Sequence, residues 1–305
     1  MIFGVGFARA ETDATVIPKD ENKNETWEDI FIRDDIAITK WIDSAADGLD
    51  LFLMGERLTS EKNDTHVKIQ NSTYYNDGQG ILNATPINLN LRLPNFEEYW
   101  LLKFTTYDEN EEQRGIQNGY LRQTPQPRNY GAGIGLFHKL GNVRVAFQPR
   151  INLSNPLSIS HSLSFESVAN YVTYQINPRM ELFATPDKGA GVFTSLNFNF
   201  VLTKILSLTF INYSEYDEKP MLYTVTNGFS LNEASTKKTA LAYSLLFNSS
   251  NQPNYELTGY SFAIAWSQLI YRKILDYQII PHLDFNAVNF YQGKVGLIVN
   301  FNFNF

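Results

Sequence analysis

The chain has 305 residues, of which 43% are hydrophobic, 19% charged and 14% aromatic, with no cysteine and a formal charge of −7. No apolar run reaches the 18 or more residues of a membrane-spanning helix, and without cysteine there are no disulfides, thiolate metal sites or thiol nucleophiles. Its 22 Phe and 17 Tyr set it apart from collagen-like and disordered chains, and the acidic balance speaks against nucleic acid as a partner.

The N-terminal stretch differs from the rest. Residues 1–10, MIFGVGFARA, resemble the tail of a secretory signal: Ile2–Phe7 is a short apolar core, and Ala8-Arg9-Ala10 a small-x-small cleavage pattern. Residues 11–64 carry 15 acidic and 6 basic side chains, whereas residues 65–305 carry 17 and 18. An acidic appendage therefore precedes a nearly neutral body. The appendage holds one expected helix, N-capped at Asp34 or Asp35 and stopped near Gly48. Ile38, Trp41, Ile42 and Ala45 form its apolar stripe, with Asp34, Asp35, Asp43 and Asp47 off it.

The body, 65–305, reads as amphipathic strands. Pro86–Leu93 sets Ile87, Leu89, Leu91 and Leu93 against Asn88, Asn90 and Arg92. Val143–Leu153 sets Val143, Val145, Phe147, Ile151 and Leu153 against Arg144, Gln148, Arg150 and Asn152. Ser195–Leu202 and Tyr277–Asn286 repeat the pattern. The closing segment is the cleanest, with Val295, Leu297, Val299, Phe301, Phe303 and Phe305 opposite Lys294, Gly296, Ile298, Asn300, Asn302 and Asn304. Period two over such lengths is a strand with one apolar and one polar face.

A soluble sandwich also alternates. Three features favour a membrane barrel instead: polar faces of Asn, Gln, Ser and Arg; many strands of ten residues or more; and short turns alternating with longer polar loops. In lipid only a closed sheet leaves no unpaired edge. The expected fold is all-β, an antiparallel transmembrane β-barrel. Fourteen segments fit, near 66–77, 80–94, 99–108, 129–140, 142–154, 157–172, 173–177 with 180–187, 190–203, 205–216, 221–235, 237–250, 256–271, 275–287 and 293–305. Twelve and sixteen strands stay open. Asn177-Pro178 is expected to interrupt the seventh strand. Asp108–Arg128 is expected to be a long external loop.

The closing strand Val295–Phe305, with alternate aromatics and a terminal Phe, resembles the C-terminal assembly signal of bacterial outer-membrane barrels. More diffusely, the chain resembles a group of uncharacterised proteobacterial outer-membrane proteins. The likeness rests on Trp41-Ile42-Asp43 with Leu51-Phe52-Leu53, on Arg92-Leu93-Pro94, and on Tyr271-Arg272-Lys273 through Pro281-His282-Leu283-Asp284. It implies the outer membrane as location. The partners implied are outer-membrane lipid, lipopolysaccharide and the barrel-assembly machinery acting on the Phe305 strand; no activity is implied.

On alternation, the lumen of the first five strands displays Lys68, Arg92, Lys103, Lys139, Arg144 and Arg150 as a basic wall. The acidic appendage then has two readings. Its helix packs its stripe on a neighbouring surface and solvates its acids, or residues 20–58 act as a plug or gate whose Asp34, Asp35, Asp43 and Asp47 face that wall. Sites for chemistry are scarce. Ser160-His161-Ser162-Leu163-Ser164 evokes a lipid enzyme, but His161 and the serines alternate to opposite faces and Leu163 stands where the nucleophile belongs. His282 and Asp284 share the lumen face and can hydrogen-bond, though two ligands do not specify a metal and His66 and His138 are distant in sequence. Gly131, Gly133 and Gly135 point inward, leaving room for the appendage or for Tyr107. The expectation is a non-enzymatic, cofactor-free channel or transporter for small anionic solutes. The alternatives are a non-conducting barrel that anchors a periplasmic or envelope partner, and a phospholipase-like enzyme.

Overall fold

The computed structural model describes residues 66–92, 100–271 and 274–305. They form one antiparallel sheet that closes on itself. The strands are β1 (His66–Asn76), β2 (Gly80–Ala84 and Ile87–Arg92), β3 (Trp100–Thr105), β4 (Gly131–Leu140), β5 (Val143–Asn152), β6 (Ser158–Ser167, continued by Ala169–Asn170) and β7 (Tyr174–Thr185). After them come β8 (Gly189–Val201), β9 (Leu206–Asp217), β10 (Leu222–Glu233), β11 (Thr239–Ser250), β12 (Glu256–Tyr271), β13 (Leu275–Asn286) and β14 (Gly293–Asn304). Sixteen hydrogen-bonded segments thus make fourteen barrel strands, because β2 and β6 are each broken in two. The ring closes where β14 pairs with β1, from Lys68 opposite Asn304 to Asn76 opposite Gly296.

Alternation sorts the side chains. Along β14, Gly296, Ile298, Asn300 and Asn302 are buried inside, while Val295, Leu297 and Phe301 are exposed outside. The same holds around the ring. Ser72, Ser160, Ser162, Thr209, Thr226, Ser230 and Ser244 are buried inside; Phe147, Leu196, Phe210, Phe229, Phe247, Phe262 and Trp266 are exposed. An apolar exterior around a polar interior is the pattern a bilayer imposes on a barrel.

A closed ring has no edge strand on which to hide a proline, so each must sit at a break in the ladder. Pro178 lies within β7 and does not interrupt it. Opposite it, pairing with β6 lapses between Glu166–Arg179 and Ala169–Ile176. Pro149 in β5 lies where pairing with β4 skips from Gly133–Arg150 to Leu136–Phe147. Pro281 in β13 lies in the equivalent gap between Ala263–His282 and Trp266–Ile279. The expected interruption at Asn177-Pro178 is therefore corrected: the strand is continuous, and its neighbour yields.

Call the end at which β1 starts and β14 finishes the terminal end, and the other the distal end. The longest described connection, residues 106–130, leaves the distal end of β3 and carries a one-turn helix, α1 (Glu109–Glu112). It does not project outward as the sequence suggested. It turns into the lumen, for a reason visible in the wall: Tyr74, Ile211, Leu246, Ala263, Ala265, Ile280 and Ile298 make an inward apolar patch, and Leu121 of the loop completes it, with Ile116 and Tyr120 packed alongside. Apolar surface facing a wet lumen is better covered than exposed.

Candidate functional site: the loop-filled lumen

The inward loop is fixed at its root by Arg150. Its guanidinium is 4% exposed and bonds Thr105 Oγ1, the Asn129 carbonyl and, at 2.9 Å, Asn152 Oδ1. Gly131 makes room for it: a Cβ there would lie 2.6 Å from the guanidinium carbon. Gly131 and Gly133 thus leave room beside Arg150, whereas a Cβ at Gly135 would meet the Phe137 ring at 2.7 Å; the appendage lies outside the described residues. Tyr107 instead accepts from Asn88 Nδ2 at 3.3 Å.

From the root, Asp108 caps α1 by accepting from the amides of Asn110 and Glu111 at 3.0 and 3.4 Å. The helix presents three acids to the wall. Glu109 pairs with Lys103 of β3 at 2.9 Å. Glu111 pairs with Lys188 of the β7–β8 turn at 2.9 Å, and Lys188 also holds Glu215 of β9 at 2.9 Å. Burial works against the Lys188 charge, but Glu215 and Glu111 outweigh it and push its pKa up. Glu112 is held up by burial, against the opposing pull of Lys68, Tyr107 and Arg122.

Beyond the helix the loop crosses to the opposite wall. Arg114 is 2% exposed, and its Nε donates to Glu181 Oε1 at 3.1 Å with Glu181 itself 1% exposed. The guanidinium carbon of Arg114 sits 3.5 Å from the Phe183 ring centroid. Arg179 donates to the other Glu181 oxygen at 2.6 Å and to the Gln113 carbonyl at 2.9 Å, and its Nε stands 3.3 Å from Glu166. Gly115 follows at φ +86, where a Cβ would strike the Tyr213 ring at 2.6 Å; the turn needs glycine for both reasons. Gln123 then reaches β13, donating to Asp284 Oδ1 at 2.6 Å, while Asn76 of β1 donates to the Gln123 carbonyl at 2.9 Å. The loop is thereby tied to β1, β3, β7 and β13, and through Lys188 to β9.

Below the loop, toward the terminal end, the lumen opens into two cavities. The larger, about 710 Å³, is walled by β8–β13, with Ile116 and Tyr120 of the loop facing it. The smaller, about 350 Å³, is walled by β4–β8 and carries Lys139, Arg144, Glu166 and Arg179. Spaces between loop and wall at Glu112–Tyr213 and at Lys103–Arg150 hold only about 50 and 20 Å³, room for ordered water and little more.

The residues expected to form a basic wall are therefore spread over different tasks. Lys103 and Lys68 face loop acids, and Arg150 anchors the loop root. Lys139 and Arg144 line open space, with Arg144 resting on Phe137 at 4.7 Å. Arg92 ends β2 opposite Leu101, and its side chain lies outside the described residues. Asp34, Asp35, Asp43 and Asp47 also lie outside them. Sequence reasoning missed Glu109, Glu111, Glu112 and Arg114, which read as a solvated loop. The available signal was Ile211, Ile280 and Ile298 breaking otherwise polar inward faces.

Ser160 and Ser162 point inward and His161 outward, so β6 builds no nucleophile–base pair. His282 Nδ1 lies 2.5 Å from Asp284 Oδ2, the pair expected on that face. Among the described residues, no group of three or more metal-ligating side chains forms.

No family model matches the chain, and no curated protein does. Among solved structures it is similar to the KdgM porin in complex with disordered oligogalacturonate, at 10% identity and TM-score 0.40, over 78% of this chain and 99% of that one. The outer membrane channel DcaP of Acinetobacter baumannii gives 7%, 0.48, 81% and 99%, and OmpT of Vibrio cholerae 8%, 0.43, 82% and 100%. The decisive observations are the chain's own: a closed fourteen-strand ring, every strand paired on both sides, with oil-facing and water-facing side chains in alternation. It is a transmembrane β-barrel.

Proposed function

We propose that this barrel is a channel for small solutes whose throughput is set by the inward loop 106–130, with a preference for anions. One observation carries the reading: the obstruction is a loop held by side-chain bonds and one apolar contact patch, set above open cavities of mixed polar and apolar lining, rather than a lumen packed shut from end to end among the described residues. Such a loop restricts passage without being part of the sheet. The anion preference rests on Lys139 and Arg144, the two members of the basic wall that face open space. The acidic segment 11–64, with Asp34, Asp35, Asp43 and Asp47, is proposed as a second, periplasmic-side gate.

Planar-bilayer recording tests this. The wild-type protein is expected to give small anion-preferring conductance steps. Replacing residues 109–126 with a short Gly-Ser link is expected to raise conductance several-fold, and Lys139→Gln with Arg144→Gln to reduce the anion preference. Truncation before residue 60 tests the second gate separately. A barrel that stays silent after loop removal and truncation refutes the channel reading.

A further inference from the structure

The 350 Å³ cavity at the terminal end has the makings of a ligand site. Its volume falls in the range of small-molecule pockets. Its charges do not balance. Arg179 is committed to Glu166, Glu181 and the Gln113 carbonyl. Lys139 and Arg144 have no carboxylate of the described residues within ion-pairing distance. They sit on adjacent strands, opposite each other in the register at the foot of β4 and β5. The Phe137 ring under Arg144 steadies the guanidinium, and no hydrogen bond joins its N–H donors to another described residue. Two exposed cations side by side at the rim of a concave pocket attract an anionic group.

A second observation narrows the ligand. Asn177 lines the same cavity, is 5% exposed, and its Oδ1 has no hydrogen-bond partner, whereas its Nδ2 donates to Gln175 at 3.2 Å. A buried carbonyl oxygen left unpaired is costly unless a donor reaches it. Glu166, in register with Arg144 on the neighbouring strand, is already taken by Arg179, so Asn177 Oδ1 is the acceptor left open. A simple carboxylate or fully ionised phosphate offers acceptors alone and meets only half of this wall. The complement is a molecule with an anionic group at one end and hydroxyl donors at the other.

We propose that this cavity is a binding site for hydroxylated carboxylates of roughly sugar-acid size, with Lys139 and Arg144 holding the carboxylate and Asn177 Oδ1 accepting from a hydroxyl. This deepens the channel reading by naming the solute class, but binding needs no conduction, so the two fail separately.

The test is calorimetric titration of the full-length protein in detergent with sodium gluconate, against acetate (charge without hydroxyls) and sorbitol (hydroxyls without charge). Gluconate is expected to bind saturably, with acetate and sorbitol at least tenfold weaker. The Lys139→Gln/Arg144→Gln pair, both exposed and therefore tolerated by the fold, is expected to weaken gluconate at least tenfold, as loss of charge-assisted hydrogen bonds does. Asn177→Ala is expected to weaken gluconate and leave acetate unchanged. Acetate binding as tightly as gluconate reduces the site to a charge effect and overturns the proposal. So does gluconate binding that survives the double substitution, or the absence of saturable binding.

Discussion

The buried bridge between Arg114 and Glu181 offers the sharpest test of how the loop is held. Changing Glu181 to Gln keeps the shape and removes the charge. Arg114, 2% exposed and bonded to that carboxylate at 3.1 Å, is then left in the wall without a counter-ion, while Arg179 keeps Glu166 at 3.3 Å. Removing one partner of a buried pair costs about 3–5 kcal/mol, because the surviving charge is stranded. The cost falls on the docked loop and not on the barrel, since the loop can withdraw Arg114 toward water. At about 1.4 kcal/mol per tenfold, the docking equilibrium shifts by roughly two to four powers of ten. Arg114→Met should do less, about 1.5–3 kcal/mol, because Glu181 still holds Arg179 at 2.6 Å. The double variant should cost less than the two singles summed. Limited trypsin digestion reads the loop directly at Arg122 and Arg128, and bilayer conductance reads its consequence. Glu181→Gln is expected to be cut in the loop and to conduct more, with the barrel intact by heat-modifiability on a gel. Arg114→Met proving the more disruptive, or neither variant exposing the loop, refutes this account of the network.

Three further outcomes follow from the same geometry. Leu121→Ala removes the loop side chain that completes the patch around Ile280 and Ile298, and should loosen docking by about 2–5 kcal/mol without altering any charge; equal trypsin resistance in mutant and wild type would contradict it. Glu112, on the loop, has its pKa raised by burial, so it binds a proton more readily docked than free. Its contribution to docking is complete below the ordinary carboxylate range and is lost as pH rises through the raised value, so Glu112→Gln should dock more tightly than wild type at neutral pH and match it in acid; parallel conductance–pH curves for the two proteins would exclude this. Arg150→Met should free the loop root by unseating the bonds to Thr105, Asn129 and Asn152, seen as faster amide hydrogen exchange at 129–131 while β9–β12 stay protected.

The ring was legible because membrane strands must alternate over their whole length, and twelve residues such as Lys294–Phe305 leave little ambiguity. Pro178 misled because a proline breaks a strand in an open sheet, whereas here the neighbour β6 absorbs the missing bond. The loop was illegible for a related reason. Glu109, Glu111, Glu112, Arg114 and Arg122 look solvated to any reading that lacks the partners: Lys103 is near in sequence, but Lys188 and Glu181 are remote and on another wall. The hint lay on the receiving side, where Ile298 stands among Lys294, Gly296, Asn300 and Asn302. The glycines at 131, 133 and 135 do not say which side chains fill the space beside them; register and rotamer give it to Arg150 at Gly131 and Gly133 and to Phe137 at Gly135.

The reach of the loop's contacts bears on how the molecule is born. Gln123 meets Asp284 across 161 positions of chain, and Arg114 meets Glu181 across 67. Neither partner exists for the loop until the later hairpins have been added, and the apolar seat needs Ile298 from the last strand of all. The stopper can therefore settle only when the seam between first and last strands has zipped. Seating of the loop marks completion.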